Sequence, residues 1–118
     1  MVRNRALIIS SRVVRGTTIV ELQGTIDLGN SPTLRTSLFE TLQAVPRLAL
    51  NMSRVEYIDS SGIATLIEVF KKARDLNKGF VLFGLSGAVH DVLKLTNLLG
   101  VFRIFDSEER ALAENTAS

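Results

Sequence analysis

Hydrophobic positions along this chain change their period several times, and each change marks an element. Leu7 to Val14 and Thr18 to Gln23 read as strands. Arg15-Gly16 between them is a turn signal, so the pair is expected as a hairpin. Ser31 then fits a helix cap and Pro32 the first helical position, where its missing N–H costs nothing. Leu34, Leu38, Leu42 and Val45 fall on one face of that helix, and Pro46 ends it. Arg47 to Met52 reads as a third strand with Leu48, Leu50 and Met52 pointing one way, followed by a loop from Ser53 to Asp59.

A second helix is expected to turn Ile63, Leu66, Ile67, Phe70 and Ala73 inward and Glu68, Lys71, Lys72 and Asp75 to water. Glu68 and Lys72 are spaced for an i,i+4 pair. Asn77-Lys78-Gly79 supplies the stop. Phe80 to Phe83 is nearly all apolar, as befits a strand covered on both faces. Ser86 caps a third helix with Val89, Val92, Leu93 and Thr96 on one side, closed by Gly100. Val101 to Phe105 reads as the last strand, and Asp106 with Glu109 as the capped start of a short final helix. The tail from Asn115 to Ser118 is polar and expected to fray. The order β-β-α-β-α-β-α-β-α makes this an α/β chain with a mixed sheet of about five strands and four helices, in one domain spanning residues 1–118.

Composition narrows the function classes. Hydrophobic residues are 46% of the 118, enough for a core. No cysteine is present, which removes thiolate catalysis, disulfides and thiolate metal sites and fits a cytoplasmic protein. The single histidine, His90, rules out a histidine-rich metal site, and no cofactor is expected. Net charge is +2 with acids and bases interspersed, so no direct nucleic-acid partner is expected. No apolar run approaches the ~20 residues of a membrane span, and the charged start Met1-Val2-Arg3-Asn4-Arg5 lacks the apolar segment of a secretory signal.

Tyr57-Ile58-Asp59-Ser60-Ser61-Gly62-Ile63 stands out, because it joins a strand to a helix start through small hydroxyl-bearing residues. The helix dipole there favours negative charge, so a phosphate on a hydroxyl would be tolerated by the fold. The plain alternative is that Asp59-Ser60-Ser61-Gly62 serves only as an N-cap. A hydrolase triad of Ser60, His90 and Asp59 or Asp27 is disfavoured, since Gly-x-Ser-x-Gly is missing and adjacent Asp59 and Ser60 do not readily sandwich a histidine. A nucleotide loop of the Gly-x-x-x-x-Gly-Lys kind is also missing. Phe80, Phe83, Phe102 and Phe105 alternate with aliphatics and read as core rather than a stacking platform. Lys71, Lys72, Arg74 and Lys78 read as a solvated helix face that leaves a docking role open.

Four segments in order resemble the STAS domain family, shared by sulphate transporters and anti-sigma factor antagonists. They are Gly24-Thr25-Ile26-Asp27, Ser31-Pro32-Thr33-Leu34, Val55 to Gly62, and Leu93 to Leu99 with the strand Val101 to Phe105 after it. Ala64 departs mildly, standing where the family often has a second glycine in Gly-Leu-Gly. The resemblance implies an anti-sigma factor antagonist, not an enzyme. Its phosphoacceptor maps onto Ser60, its second hydroxyl onto Ser61, and acidic positions near the acceptor onto Asp27 and Asp59. Together with Gly62 these form the implied partner-binding set. The implied partners are an anti-sigma factor that is also a serine protein kinase, and a Ser/Thr phosphatase of the metal-dependent class. No membrane partner is implied, and a weak homodimer is a further expectation. The alternative within the same family is a subunit of a lipid-transport ATPase or a stressosome-like scaffold that docks partners without a phosphate cycle.

Overall fold

The structure is a computed structural model that describes residues 6–115. The elements run β1 (Ile8–Val14), β2 (Thr17–Ile26), α1 (Ser31–Ala44), β3 (Arg47–Ile58), α2 (Ser60–Asp75), β4 (Gly79–Phe83), α3 (Gly87–Leu95), β5 (Ile104–Phe105) and α4 (Glu108–Glu114). This is the order expected from the pattern. The sheet keeps chain order, β1-β2-β3-β4-β5. β1 and β2 are antiparallel, and every later pair is parallel. Arg15 and Gly16 both take positive φ, which matches the right-handed twist of the flanking strands and closes the hairpin tightly.

Each face of the sheet has its own core. Leu48, Leu50 and Met52 on β3 face Leu34, Leu38 and Leu42 on α1, Leu66 and Val69 on α2, and Val89 and Leu93 on α3. The opposite face buries Ile19, Ala49, Val81 and Phe83 beneath Ala111 of α4. β4 is buried along its whole length because helices lie on both sides of it. Phe80, Phe83 and Phe102 are core residues, and Phe102 meets Phe70 edge to face at 5.8 Å. No helix among the described residues is long and apolar enough to cross a membrane.

Several boundaries differ from the sequence reading, each for a tertiary reason. β3 does not stop at Met52. It continues through the expected Ser53–Asp59 loop to Ile58, pairing Arg54 with Gln23, Val55 with Gly24, Tyr57 with Thr25 and Ile58 with Ile26. β3 carries an extra residue against β2 between Asn51 and Arg54 and another between Val55 and Tyr57, which shifts its alternation, so Val55 and Ile58 are the buried positions and a period of two is lost. Ser31 is not the cap of α1. Asn30 occupies that place, and its side chain turns back to accept from the Asp27 N–H and donate to the Thr25 carbonyl.

Thr65 and Val69 are buried on α2, although neither was in the expected inward set. Glu68 pairs with Arg35 of α1 at 3.2 Å rather than with Lys72, whose amine lies over the Phe39 ring. Thr96 is exposed, and α3 is closed by left-handed Asn97, not Gly100, with Leu98 N–H bonded to the Leu93 carbonyl. β5 is two residues, and Val101 is a turn position. Ser107, not Asp106, caps α4. Asn115 does not fray: it is buried and donates to the Leu48 carbonyl, tying the end of α4 to β3. The rest of the expected tail lies outside the described residues.

The close of α2 carries a test. Asn77 sits at φ 58°, with Lys78 N–H bonded to the Ala73 carbonyl. A β-carbon there costs about 1 kcal/mol unless the residue tolerates the left-handed region. Asn77→Gly is expected to hold or raise the urea midpoint, and Asn77→Ala to lower stability by about 1 kcal/mol.

Candidate functional site

The site forms where β2 and β3 end side by side. Asp59 follows β3 with an extended backbone, and its N–H donates to the Ile26 carbonyl at 3.1 Å. Its carboxylate faces the first turn of α2. Oδ1 accepts from the Ser61 N–H at 2.9 Å, the Gly62 N–H at 3.1 Å and the Ser61 hydroxyl at 2.6 Å. Oδ2 accepts from the Leu28 N–H at 3.1 Å. One side chain thus caps α2 and also holds the β2–α1 connection. These donors, the Ser61 hydroxyl foremost, hold its carboxyl below the usual carboxylate range.

The β2–α1 connection is organised by Asp27. Its Oδ1 accepts from the Gly29 N–H at 2.9 Å, and its carbonyl accepts from the N–H groups of Asn30 and Ser31. Asp27 and Asp59 therefore lie on two connections joined through Leu28. Leu28 itself points outward, 74% exposed.

The two serines differ sharply. Ser61 spends its hydrogen on Asp59, so the Ser31 hydroxyl must donate to it, across 3.1 Å. Ser61 is half-buried in that relay between α1 and α2. Ser60 is exposed, and its hydroxyl makes no hydrogen bond among the described residues. Behind both, buried Gly62 allows close approach to the sheet: a β-carbon there would stand 2.6 Å from side-chain carbons of both Ile26 and Ile58.

All five sequence-derived site residues, Asp27, Asp59, Ser60, Ser61 and Gly62, belong to this one corner. His90 does not join them. It is exposed on α3 beside Asp91, and Asp59 gives its oxygens to Ser61, Gly62 and Leu28 instead. Ser31, Asn30 and Leu28 were missed as site residues. Asn30 was legible as Asp27-x-x-Asn30, a pattern of short polar side chains that bond local backbone. The Ser31–Ser61 contact spans thirty positions and had no local signal. Among the described residues no group of three or more potential metal-ligating side chains occurs.

Two changes probe this corner. Gly62→Ala is expected to destabilise the fold by about 1–3 kcal/mol, because Ile26 and Ile58 must move to admit a methyl group. Asp59→Ala is expected to cost about 1 kcal/mol near neutral pH. With a folded pKa below the unfolded value, the carboxylate's contribution is complete above about pH 4 and is lost as pH falls through the folded value. Urea titrations of Asp59→Ala and of the unaltered chain should therefore draw together in acid. A gap of constant size down to about pH 2 would show that the charge contributes nothing.

Comparison with known proteins identifies the fold and the family. The STAS domain model matches residues 9–111. An anti-sigma F factor antagonist from Paenibacillus polymyxa is 26% identical over 102 residues, covering 85% of this chain and 87% of that one. The crystal structure of an anti-sigma factor antagonist from Mycobacterium paratuberculosis superposes with a TM-score of 0.86 at 22% identity, covering 98% of both chains. Unphosphorylated SpoIIAA, another anti-sigma factor antagonist, gives a TM-score of 0.73 at 23% identity over 91% of this chain and 93% of its own. The Bacillus cell fate determinant SpoIIAA in its phosphorylated form gives 0.69 at 22% over 92% and 97%. With the family model covering most of its length, this chain belongs to the STAS domain family.

Proposed function

We propose that this chain is an anti-sigma factor antagonist that works by partner switching, with Ser60 as the phosphorylated residue. The unmodified form docks an anti-sigma factor that is also an ATP-dependent serine kinase, and a sigma factor is released. Phosphate on Ser60 ends the docking, and a metal-dependent Ser/Thr phosphatase restores the hydroxyl. The observation that carries this reading is the contrast between neighbouring serines: the Ser60 hydroxyl is exposed and unbonded, whereas that of Ser61 is committed to Asp59. The family membership and the name of the Paenibacillus relative support the choice of partner class.

The energetics are adequate. A phosphoserine carries about −1.5 to −2 charges at neutral pH. At Ser60 it opens α2, where the dipole of a sixteen-residue helix favours negative charge, so the isolated domain accommodates it. In a complex the same charge lies against Asp59 and must be desolvated by the partner. A 100-fold loss of affinity needs only about 2.8 kcal/mol. An unpaired interfacial charge costs that much or more, so release needs no refolding. The chain supplies a hydroxyl, and the kinase supplies metal, ATP and base.

Ser60→Ala is expected to keep its kinase bound and to give no phosphoprotein on incubation with ATP. Ser60→Asp is expected to bind at least about tenfold more weakly, a loss of about 1.4 kcal/mol. Its thermal midpoint should not fall, which separates lost docking from lost folding. Intact mass with peptide mapping decides the residue: a single phosphate on Ser61 with Ser60 untouched overturns the assignment.

A further inference from the structure

We infer that the outer edge of β1 is a self-association surface, on which a second copy of this chain adds its own β1 antiparallel about a two-fold axis through Ser11. The two ends of the sheet are unequal. β5 is two residues long, too short to template another strand, whereas β1 presents seven. β1 carries no proline and no register break against β2. Its one charged side chain, Arg12, is turned onto a sheet face toward Glu21 and Glu108 rather than guarding the edge. Among the described residues no proline, bulge, helix or loop protects this edge.

Hairpin geometry specifies which backbone groups are free. Val14 and Thr17 flank the two-residue turn and form a hydrogen-bonded pair. Alternation along the strand then turns the amides of Val14, Arg12, Ser10 and Ile8 toward β2, and those of Val13, Ser11 and Ile9 outward. A two-fold axis normal to the sheet keeps each face continuous, so residues of like parity must meet. Centred on Ser11, that axis pairs Ile9 with Val13 of the second copy, Ser11 with itself, and Val13 with Ile9. All three are outward-facing positions able to exchange both hydrogen bonds.

Side chains agree with this register. On one face Ile9 meets Val13, which is 69% exposed in the single chain. On the other, Ile8, 56% exposed, meets Val14. These are apolar pairs of the kind that stabilise neighbouring strands, and they account for two of the large exposed apolar residues in the structure. The two-fold register lets one strand supply both members of each apolar pair, which favours a second copy as the occupant. Pairing two seven-residue edges buries less surface than a stable dimer needs, so the association is weak and reversible. The surface is independent of the Ser60 corner, which follows β3 at the centre of the sheet.

The chain has no native cysteine, so single introduced cysteines report the register directly. Ser11 is the only position that faces itself, with Cα atoms about 5.5 Å apart in such a pair, within disulfide range. Val13 lies about 14 Å from its own copy in this register. Under mild oxidation Ser11→Cys is expected to form a covalent dimer at least about tenfold faster than Val13→Cys, although Val13 is a markedly exposed position. The double variant Ile9→Cys/Val13→Cys is expected to cross-link as readily as Ser11→Cys. Sedimentation velocity of the unaltered chain should show concentration-dependent dimer that Ser11→Lys removes. Equal oxidation rates for the Ser11 and Val13 variants, or a chain monomeric at every concentration, would overturn the inference.

Discussion

The structure at the strand–helix junction depends on one carboxylate. Asp59 receives four hydrogen bonds from three residues, Ser61 and Gly62 in the first turn of α2 and Leu28 in the β2–α1 connection. Its bonds to the Ser61 and Gly62 amides satisfy donors that open every helix and have no partner within it. Its bond to Leu28 draws the β2–α1 connection against the start of α2. A neutral amide such as asparagine would keep one acceptor oxygen for the start of α2 and lose the acceptor for Leu28. An acid is favoured at this place because charge-assisted hydrogen bonds are about twice as strong as neutral ones and because the helix terminus is positive.

Consequences pass outward from that carboxylate. By taking the Ser61 hydroxyl hydrogen it leaves that oxygen only as an acceptor, and Ser31 of α1 fills the role. By opening α2 at Asp59 it places Ser60 on the outer side of the first turn, in water. Gly62 completes the arrangement from below, since only a residue without a side chain lets α2 descend onto Ile26 and Ile58. The proposed switch asks little of the domain itself. The sheet and helices hold the Ser60 hydroxyl outward, so in the proposed cycle the modification would change charge at the surface and leave the fold as it is.

The helices and most strands were legible because burial repeats at helical or strand spacing, as with Leu34, Leu38 and Leu42 on α1. What escaped has a common cause. The second half of β3 was hidden because the strand itself bulges twice against β2, so its buried residues fall three apart. Asn115 looked like tail because nothing local shows that Leu48, far away in sequence, offers a carbonyl and Gly79 a slot for it. The caps at Asn30, Asn97 and Ser107 were each displaced by one to three positions, since several adjacent polar residues suit a cap and tertiary contacts choose among them.

Sequence alone determined the element order, the parallel crossovers, the family resemblance and the five residues of the corner, because these rest on local periodicity and on short segments that carry their own signal. Only the tertiary structure decided which of two adjacent serines is free. The hydroxyls of Ser60 and Ser61 are chemically the same, and one is engaged solely because Asp59 and Ser31 converge on it from elements that the chain order does not place together. The character of β1 as an open edge is likewise a property of the sheet: a strand's outer hydrogen-bonding groups are free or paired according to what the rest of the chain sets beside them.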